Sequence, residues 1–162
     1  FVKSYPTWES LASADINLLQ VSLRPLGLWK QKSLVFKSLA NSIIERGGGI
    51  PCSREELEQL PGIGQYIASA VMLVLCGLAE PLLDATMARL LERFFGPRKL
   101  VDIRYDPYLK ALSHEVADHQ DSLTINWAML DLGTLVCRRQ TPLCLECPVQ
   151  TKCRFLISRE QS

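Results

Sequence analysis

The sequence predicts an all-α fold. Helix formers (Leu, Ala, Glu, Gln, Arg and Lys) recur throughout the 162 residues, and no run of alternating β-branched residues interrupts them. Apolar residues return at helical spacing between capping residues and Gly or Pro breaks. The hydrophobic content of 48% is that of a packed chain rather than a disordered one.

Taken in order, Thr7 follows Pro6 and can cap a short helix to about Ser13, with Glu9 in its first turn. Asp15 can cap a second that carries Ile16, Leu19 and Leu23 on one face and stops at Pro25-Leu26-Gly27. Trp29 to Glu45 predicts a longer helix with Leu34, Phe36, Leu39, Ile43 and Ile44 inward, ended by Gly47-Gly48-Gly49. Lys30, Lys32 and Lys37 near its start read as a solvated face. Ser53 and Glu56 fit a capping box for a helix over Arg54–Gln59. Gln65 to Cys76 is apolar on almost all sides and predicts a buried central helix. The next helix carries Met87, Leu90, Leu91, Phe94 and Phe95, and ends at Gly96-Pro97. Pro107 to Ala117 predicts an amphipathic helix with Tyr108, Leu112 and Val116 inward. Leu123 to Val136 predicts another, strongly apolar and containing Trp127. His114 and His119 lack ligand-like spacing and read as surface or helix-end residues.

Several classes are excluded or disfavoured. No stretch of about 18 uncharged apolar residues exists to span a membrane. A net charge of +1 with pI near 7.8 is not that of a strongly basic nucleic-acid binder, although backbone amides and helix ends contact phosphate without net charge. Four of six cysteines crowd into seventeen residues, which favours a metal site over secreted disulfides and points to a reducing compartment. The chain begins at Phe1 without an initiator Met, in what reads as mid-element, so a fragment is expected.

Three motifs carry chemistry. Leu60-Pro61-Gly62-Ile63-Gly64-Gln65-Tyr66 reads as a Gly-rich turn that opens a helix. Unpaired N–H groups and the positive dipole end at such a start hold phosphate, and glycines let the backbone approach it. Asp84 stands at the head of the next helix, where an N-cap role alone would justify an Asp; a cap can also face a cleft. Cys137, Cys144, Cys147 and Cys153 form C-x6-C-x2-C-x5-C. Four thiolates on one loop suit tetrahedral zinc or a cubane iron–sulfur cluster; a single C-x2-C and three unequal arcs favour the bulkier group. Arg138, Arg139, Lys152 and Arg154 make that loop basic.

With hairpin, acid and cysteine loop in this order, the sequence resembles the helix-hairpin-helix base-excision DNA glycosylases of the endonuclease III superfamily, from near Phe1 to about Cys153. The resemblance implies a two-domain helical fold. Residues 1–79 would be a six-helix barrel domain, incomplete at its start, with the helix-hairpin-helix at 54–76. Residues 80–162 would be a cluster domain with its Cys loop at 137–153. It implies a [4Fe–4S] cluster on Cys137, Cys144, Cys147 and Cys153, and a phosphate grip by Leu60, Gly62, Ile63, Gly64 and Gln65, in relatives often with a monovalent cation. Asp84 matches the family's catalytic aspartate. Double-stranded DNA with a mismatched or damaged base is the implied partner, bound by a monomer in the cytoplasm (nucleoid) or nucleus, with the base flipped into a pocket.

Tyr66 is the informative departure. Bifunctional members carry Lys there, whose amine forms a Schiff base with the sugar; a phenol cannot. The chain is similar instead to monofunctional members, the mismatch thymine (Mig) type and those adenine (MutY-type) glycosylases that carry Tyr. Asp84-Ala85-Thr86 lacks the Gly-Asn that follows the aspartate in adenine enzymes, and Arg24-Pro25-Leu26-Gly27-Leu28 and Arg93-Phe94-Phe95-Gly96 read closer to the thymine type. That type usually has Asn where Thr86 stands. Members carry several dozen residues before the point matching Phe1, including a segment that wedges into the duplex and, in adenine enzymes, an essential Glu. The expected function is removal of thymine or uracil opposite guanine. The alternatives are an adenine glycosylase acting opposite 8-oxoguanine and a non-catalytic DNA-binding module.

Overall fold

The computed structural model describes residues 1–160, and every regular element among them is helical. No helix among them is long and apolar enough to cross a membrane. The chain divides into two compact units, Phe1–Gly64 and Gln65 onward.

The first unit contains α1 (Trp8–Ala12), α2 (Ile16–Leu23), α3 (Trp29–Glu45) and α4 (Arg54–Glu58). Side-chain caps set the starts of α1, α2 and α4. Thr7 and Ser10 form a reciprocal capping box, and Asp15 accepts from the amides of Asn17 and Leu18. Ser53 accepts from the Glu56 amide, but its hydroxyl donates to Glu55, so the expected box is a simple cap. Leu11, Leu19, Leu23 and Ala40 form the core of this unit, with Trp8, Trp29 and Phe36 packed against it.

The inward face of α3 differs from the one expected. Ser33, Ala40 and Ile43 are buried, whereas Leu34 and Ile44 are exposed. The buried stripe follows helical spacing through 33, 36, 40 and 43. Small residues at 33 and 40 let α1 and α2 lie close against α3, and that close approach outranks the larger side chain one position away. The lysines are also more than a solvated face. Lys32 Nζ donates to the Leu26 carbonyl at 2.8 Å, Lys37 Nζ donates to the Ala14 carbonyl, and Lys30 lies 5.1 Å from the Trp29 ring centroid.

The second unit holds α5 (Gln65–Val74), α6 (Ala85–Phe95), α7 (Pro107–Ala117), α8 (Ser122–Asp131) and α9 (Arg154–Glu160). Leu73, Leu82, Met87, Ala88, Leu91 and Leu109 form its core. Helix α5 is shorter and less enclosed than expected: Ala68, Ser69, Met72 and Leu73 are buried, but Ile67, Val74 and Leu75 are exposed. In α7 the buried centre is Leu109, Ser113 and Ala117, one position round from the expected Tyr108, Leu112 and Val116, which flank it half-buried. Helix α8 stops at Asp131 and continues as one π-helical turn over Leu132–Val136. Its buried positions are the polar Ser122 and Asn126, while Trp127 is exposed.

Asp106 caps α7 from a fully buried position. One carboxylate oxygen accepts the Leu109 amide at 2.8 Å, and the other accepts the amides of Lys99 and Leu100 at 2.9 and 2.6 Å. Burial pushes its pKa up, but the amides of Leu100, Leu109, Lys99 and Tyr108 outweigh that and hold it below the usual value. A depressed folded-state pKa stabilises the fold above the unfolded value of about 3.9 and loses that contribution as pH falls through the folded one. Thermal melts of wild type and Asp106→Asn should therefore differ most near neutral pH, with wild type higher, and converge in acid. A gap that persists unchanged into strong acid would show that the charge is not what stabilises the loop.

Candidate active site and cysteine loop

The hairpin closes with the Ile63 amide donating to the Leu60 carbonyl at 3.1 Å. Its two glycines differ. Gly62 has φ of +77°, and a Cβ there would stand 2.3 Å from Val35 Cγ1, so both backbone and packing demand glycine. Gly64 has no left-handed φ, and a Cβ there would meet nothing within 4 Å. It leaves open space immediately before α5, whose first residues are Gln65 and Tyr66.

Tyr66 is partly exposed, at 43%. Burial of its ring and then the negative charge of Asp84 raise its pKa above that of an ordinary phenol. It is a neutral hydroxyl across the physiological range, and it shares the electrostatic environment of Asp84. The Asp84 carboxylate is half-buried and caps α6. Its Oδ1 accepts the amides of both Thr86 and Met87 at 2.8 Å, which fixes the direction of the carboxylate and leaves Oδ2 outside the cap.

At its other end α6 grips the cysteine loop. Arg89 Nη2 donates to the Gly133 carbonyl at 2.7 Å and Nε to the Cys137 carbonyl at 3.1 Å. Arg93 Nη1 donates to the carbonyls of Cys137 and Arg138 at 3.3 and 2.6 Å, and lies 3.4 Å from Cys137 Sγ. Its Nη2 donates to the Arg139 carbonyl at 2.9 Å, and the guanidinium sits 5.0 Å from the Phe155 ring centroid. The fork of an arginine serves several carbonyls at once, which a lysine ammonium cannot match. The Cys153 thiol meets the Arg93 carbonyl at 3.6 Å.

Cys137, Cys144, Cys147 and Cys153 are half-buried free thiols on the wall of one small cavity, partly open to solvent. Leu90, Phe94, Leu143 and Phe155 supply apolar walls. Among the described residues no three His, Cys, Asp or Glu side chains converge closely enough to hold a single metal ion. The four thiols ring a volume instead of meeting at a point.

Composition and spacing did not single out Arg89, Arg93 or Asn126. An Asn in the middle of an otherwise apolar segment was the signal for the last of these. Tyr66 lies in the first turn of α5, Asp84 caps α6, and the four cysteines line one cavity. His114 and His119 take no part; His119 Nδ1 accepts the Asp121 amide in the turn before α8.

Comparison with known proteins agrees with this arrangement. A helix-hairpin-helix motif matches residues 45–74. The chain is 40% identical over 159 residues to a thymine-DNA glycosylase of Aeropyrum pernix, covering 96% of this chain and 71% of the relative. It is 34% identical to a thymine/uracil-DNA glycosylase of Pyrobaculum aerophilum, covering 99% and 72%, and 31% identical to the human adenine DNA glycosylase, covering 95% and 29%. The structure of a thermostable thymine-DNA glycosylase superposes with a TM-score of 0.85 at 25% identity, over 98% of this chain and 73% of that one. A non-covalent endonuclease III–DNA complex gives 0.80 at 22% identity, over 99% and 74%. The chain belongs to the helix-hairpin-helix DNA glycosylases of the endonuclease III superfamily and is a DNA N-glycosylase.

Where α6 meets the π-helical turn, the backbones leave no room. A Cβ on Gly133 would stand 2.5 Å from Thr86 Cγ2 and 3.3 Å from the Thr86 carbonyl oxygen. Gly133→Ala should cost about 1–3 kcal/mol in denaturant unfolding, the usual scale for overpacking. Thr86→Ser removes the obstructing methyl, so the double variant should recover a substantial part of that loss. Additive losses in the two single variants and the double would contradict the contact.

Proposed function

We propose that this glycosylase hydrolyses the N-glycosidic bond of thymine or uracil opposite guanine and leaves the DNA strand unbroken. Tyr66 carries that reading. It stands where bifunctional relatives have the Schiff-base lysine, and a neutral phenol offers no amine to the sugar. The similarity to thymine and thymine/uracil glycosylases supports the choice of base.

In this reading Asp84 is the catalytic carboxylate. The cap bonds to Oδ1 orient it, and Oδ2 faces the substrate. Its charge stabilises the positive charge that develops on the deoxyribose as the bond breaks, and helps orient the attacking water. Tyr66 lines the base pocket. The hairpin over Leu60, Gly62, Ile63, Gly64 and Gln65 holds a phosphate of the mismatched duplex: the amides of Leu60 and Ile63 close the turn on the carbonyls of Leu57 and Leu60, those of Gly62, Gly64 and Gln65 donate to the phosphate, and a monovalent cation at the turn and the open space beside Gly64 admit the approach. The protein acts as a monomer. Similarity to the human adenine glycosylase supports a second reading, removal of adenine opposite 8-oxoguanine.

Four free thiols around one cavity fit a [4Fe–4S] cluster, with Cys137, Cys144, Cys147 and Cys153 as ligands. When bound, the cluster supplies a covalent tie across the loop. Arg89 and Arg93 hold the loop backbone in place for it.

Two measurements bear on these roles. Asn caps a helix about as well as Asp, so Asp84→Asn should keep stability to within about 0.5 kcal/mol. In the full-length protein it should lose base release from a G:T or G:U duplex by at least about a hundredfold. Retained release would remove Asp84 from the chemistry, and absence of release by the wild type from any mismatch would sink the enzymatic assignment. Purified protein should absorb broadly in the visible, and Arg93→Lys should lower that absorbance per mole of protein. Colourless protein containing zinc would overturn the cluster.

A further inference from the structure

Asn126 is fully buried in α8, a helix that is otherwise apolar through this stretch. Its carboxamide is spent on the chain that leads to Asp84. Oδ1 accepts the Leu82 amide at 2.7 Å. Nδ2 donates to the Glu80 carbonyl at 3.1 Å, and to the Ser122 carbonyl of its own helix at 2.9 Å, with the Ser122 hydroxyl at 3.5 Å. Both hydrogens and the oxygen are thereby used, and no orphaned polar atom remains to offset the gain.

The partners explain why an amide stands here. Pro81 has no N–H, so the Leu82 amide is the first donor after Glu80 along this irregular segment, and it and the Glu80 carbonyl flank the buried proline. One side chain with a donor and an acceptor satisfies both, across 44 and 46 residues of sequence. Glu80 is held from a second direction by the Ser69 hydroxyl on α5, the helix that carries Tyr66, at 3.4 Å. Leu82 stands two residues before Asp84, about 7 Å along the chain.

We propose that Asn126 is a positioning residue for Asp84: it pins the Glu80–Leu82 backbone and so sets where the α6 cap presents its carboxylate. This rests on the glycosylase reading of Asp84. A misplacement of about 1 Å at a reacting group costs on the order of a hundredfold in rate. The pin acts on the rate of bond breaking and not on DNA capture, because none of the phosphate-gripping residues bonds to it.

The test is Asn126→Leu in the full-length protein, which keeps the side-chain size and removes the polar groups. Single-turnover release of uracil from a G:U duplex should fall about tenfold to a hundredfold at saturating enzyme, while the half-saturating concentration changes by less than about threefold. Ser122→Ala, which keeps both loop bonds, should leave both values near wild type. Hydrogen exchange of the Leu82 amide gives a readout independent of activity: slow in the wild type, fast in Asn126→Leu. If the leucine variant does not fold, Asn126→Gln displaces both groups by one methylene and takes its place. An unchanged rate, or a rate and half-saturation that worsen together in proportion to unfolded protein, overturns the proposal. Should the wild type release no base, the glycosylase reading of Asp84 fails, and exchange alone decides whether the pin exists. A wild-type Leu82 amide exchanging as an open loop would refute it.

Discussion

The second unit depends on the two arginines of α6. Arg89 and Arg93 send guanidinium donors into the carbonyls of Gly133, Cys137, Arg138 and Arg139. The Gly133 carbonyl lies within the π-helical turn and the other three follow it, outside the regular ladder that would otherwise satisfy them. Charge-assisted bonds of this kind are stronger than neutral ones, and shared acceptors such as the Cys137 carbonyl couple the two side chains. The first cysteine of the loop is held in place by protein alone. The remaining three complete the wall of the same cavity from the short turn Cys144–Glu146, from Cys147 just after it, and from Cys153 between the turn Gln150–Lys152 and α9.

The same helix begins at Asp84. One element of eleven residues therefore presents a fixed carboxylate at its start and fixes the cysteine loop from its last two turns. Both of its flanks are constrained. Asn126 pins the chain entering it, and the close approach of Gly133 to Thr86 sets its distance from the π-helical turn. The cap and the proposed catalytic role of Asp84 do not compete, because the two cap bonds use one oxygen. The cap is what gives the other oxygen a defined direction.

Local chemistry was readable from the sequence and tertiary choice was not. Thr7, Asp15, Ser53 and Asp84 cap helices where expected, since a cap needs partners two or three residues away. The limits of Pro107–Ala117 match for the same reason, with Asp106 as the cap, whereas Trp29–Glu45 matches between a left-handed Leu28 and the glycines that follow it. Which face turns inward depends on the neighbour, and there Ser33 and Ala40 displaced Leu34 and Ile44. The cysteine spacing revealed that the four thiols belong together. It gave no hint of Arg89 and Arg93, whose bonds span 44 to 48 residues, or of the use made of Asn126. A one-dimensional pattern records that a polar residue sits in an apolar helix but not what it meets.

The central claim is that this chain removes a base and spares the strand, and the products from one mismatched duplex test it most directly. A duplex labelled on the strand carrying thymine or uracil opposite guanine should yield free base and an abasic site, with breaks appearing after alkali alone. Breaks without alkali, trapped by borohydride as a covalent protein–DNA adduct, would contradict the account, because they require an amine that Tyr66 does not supply.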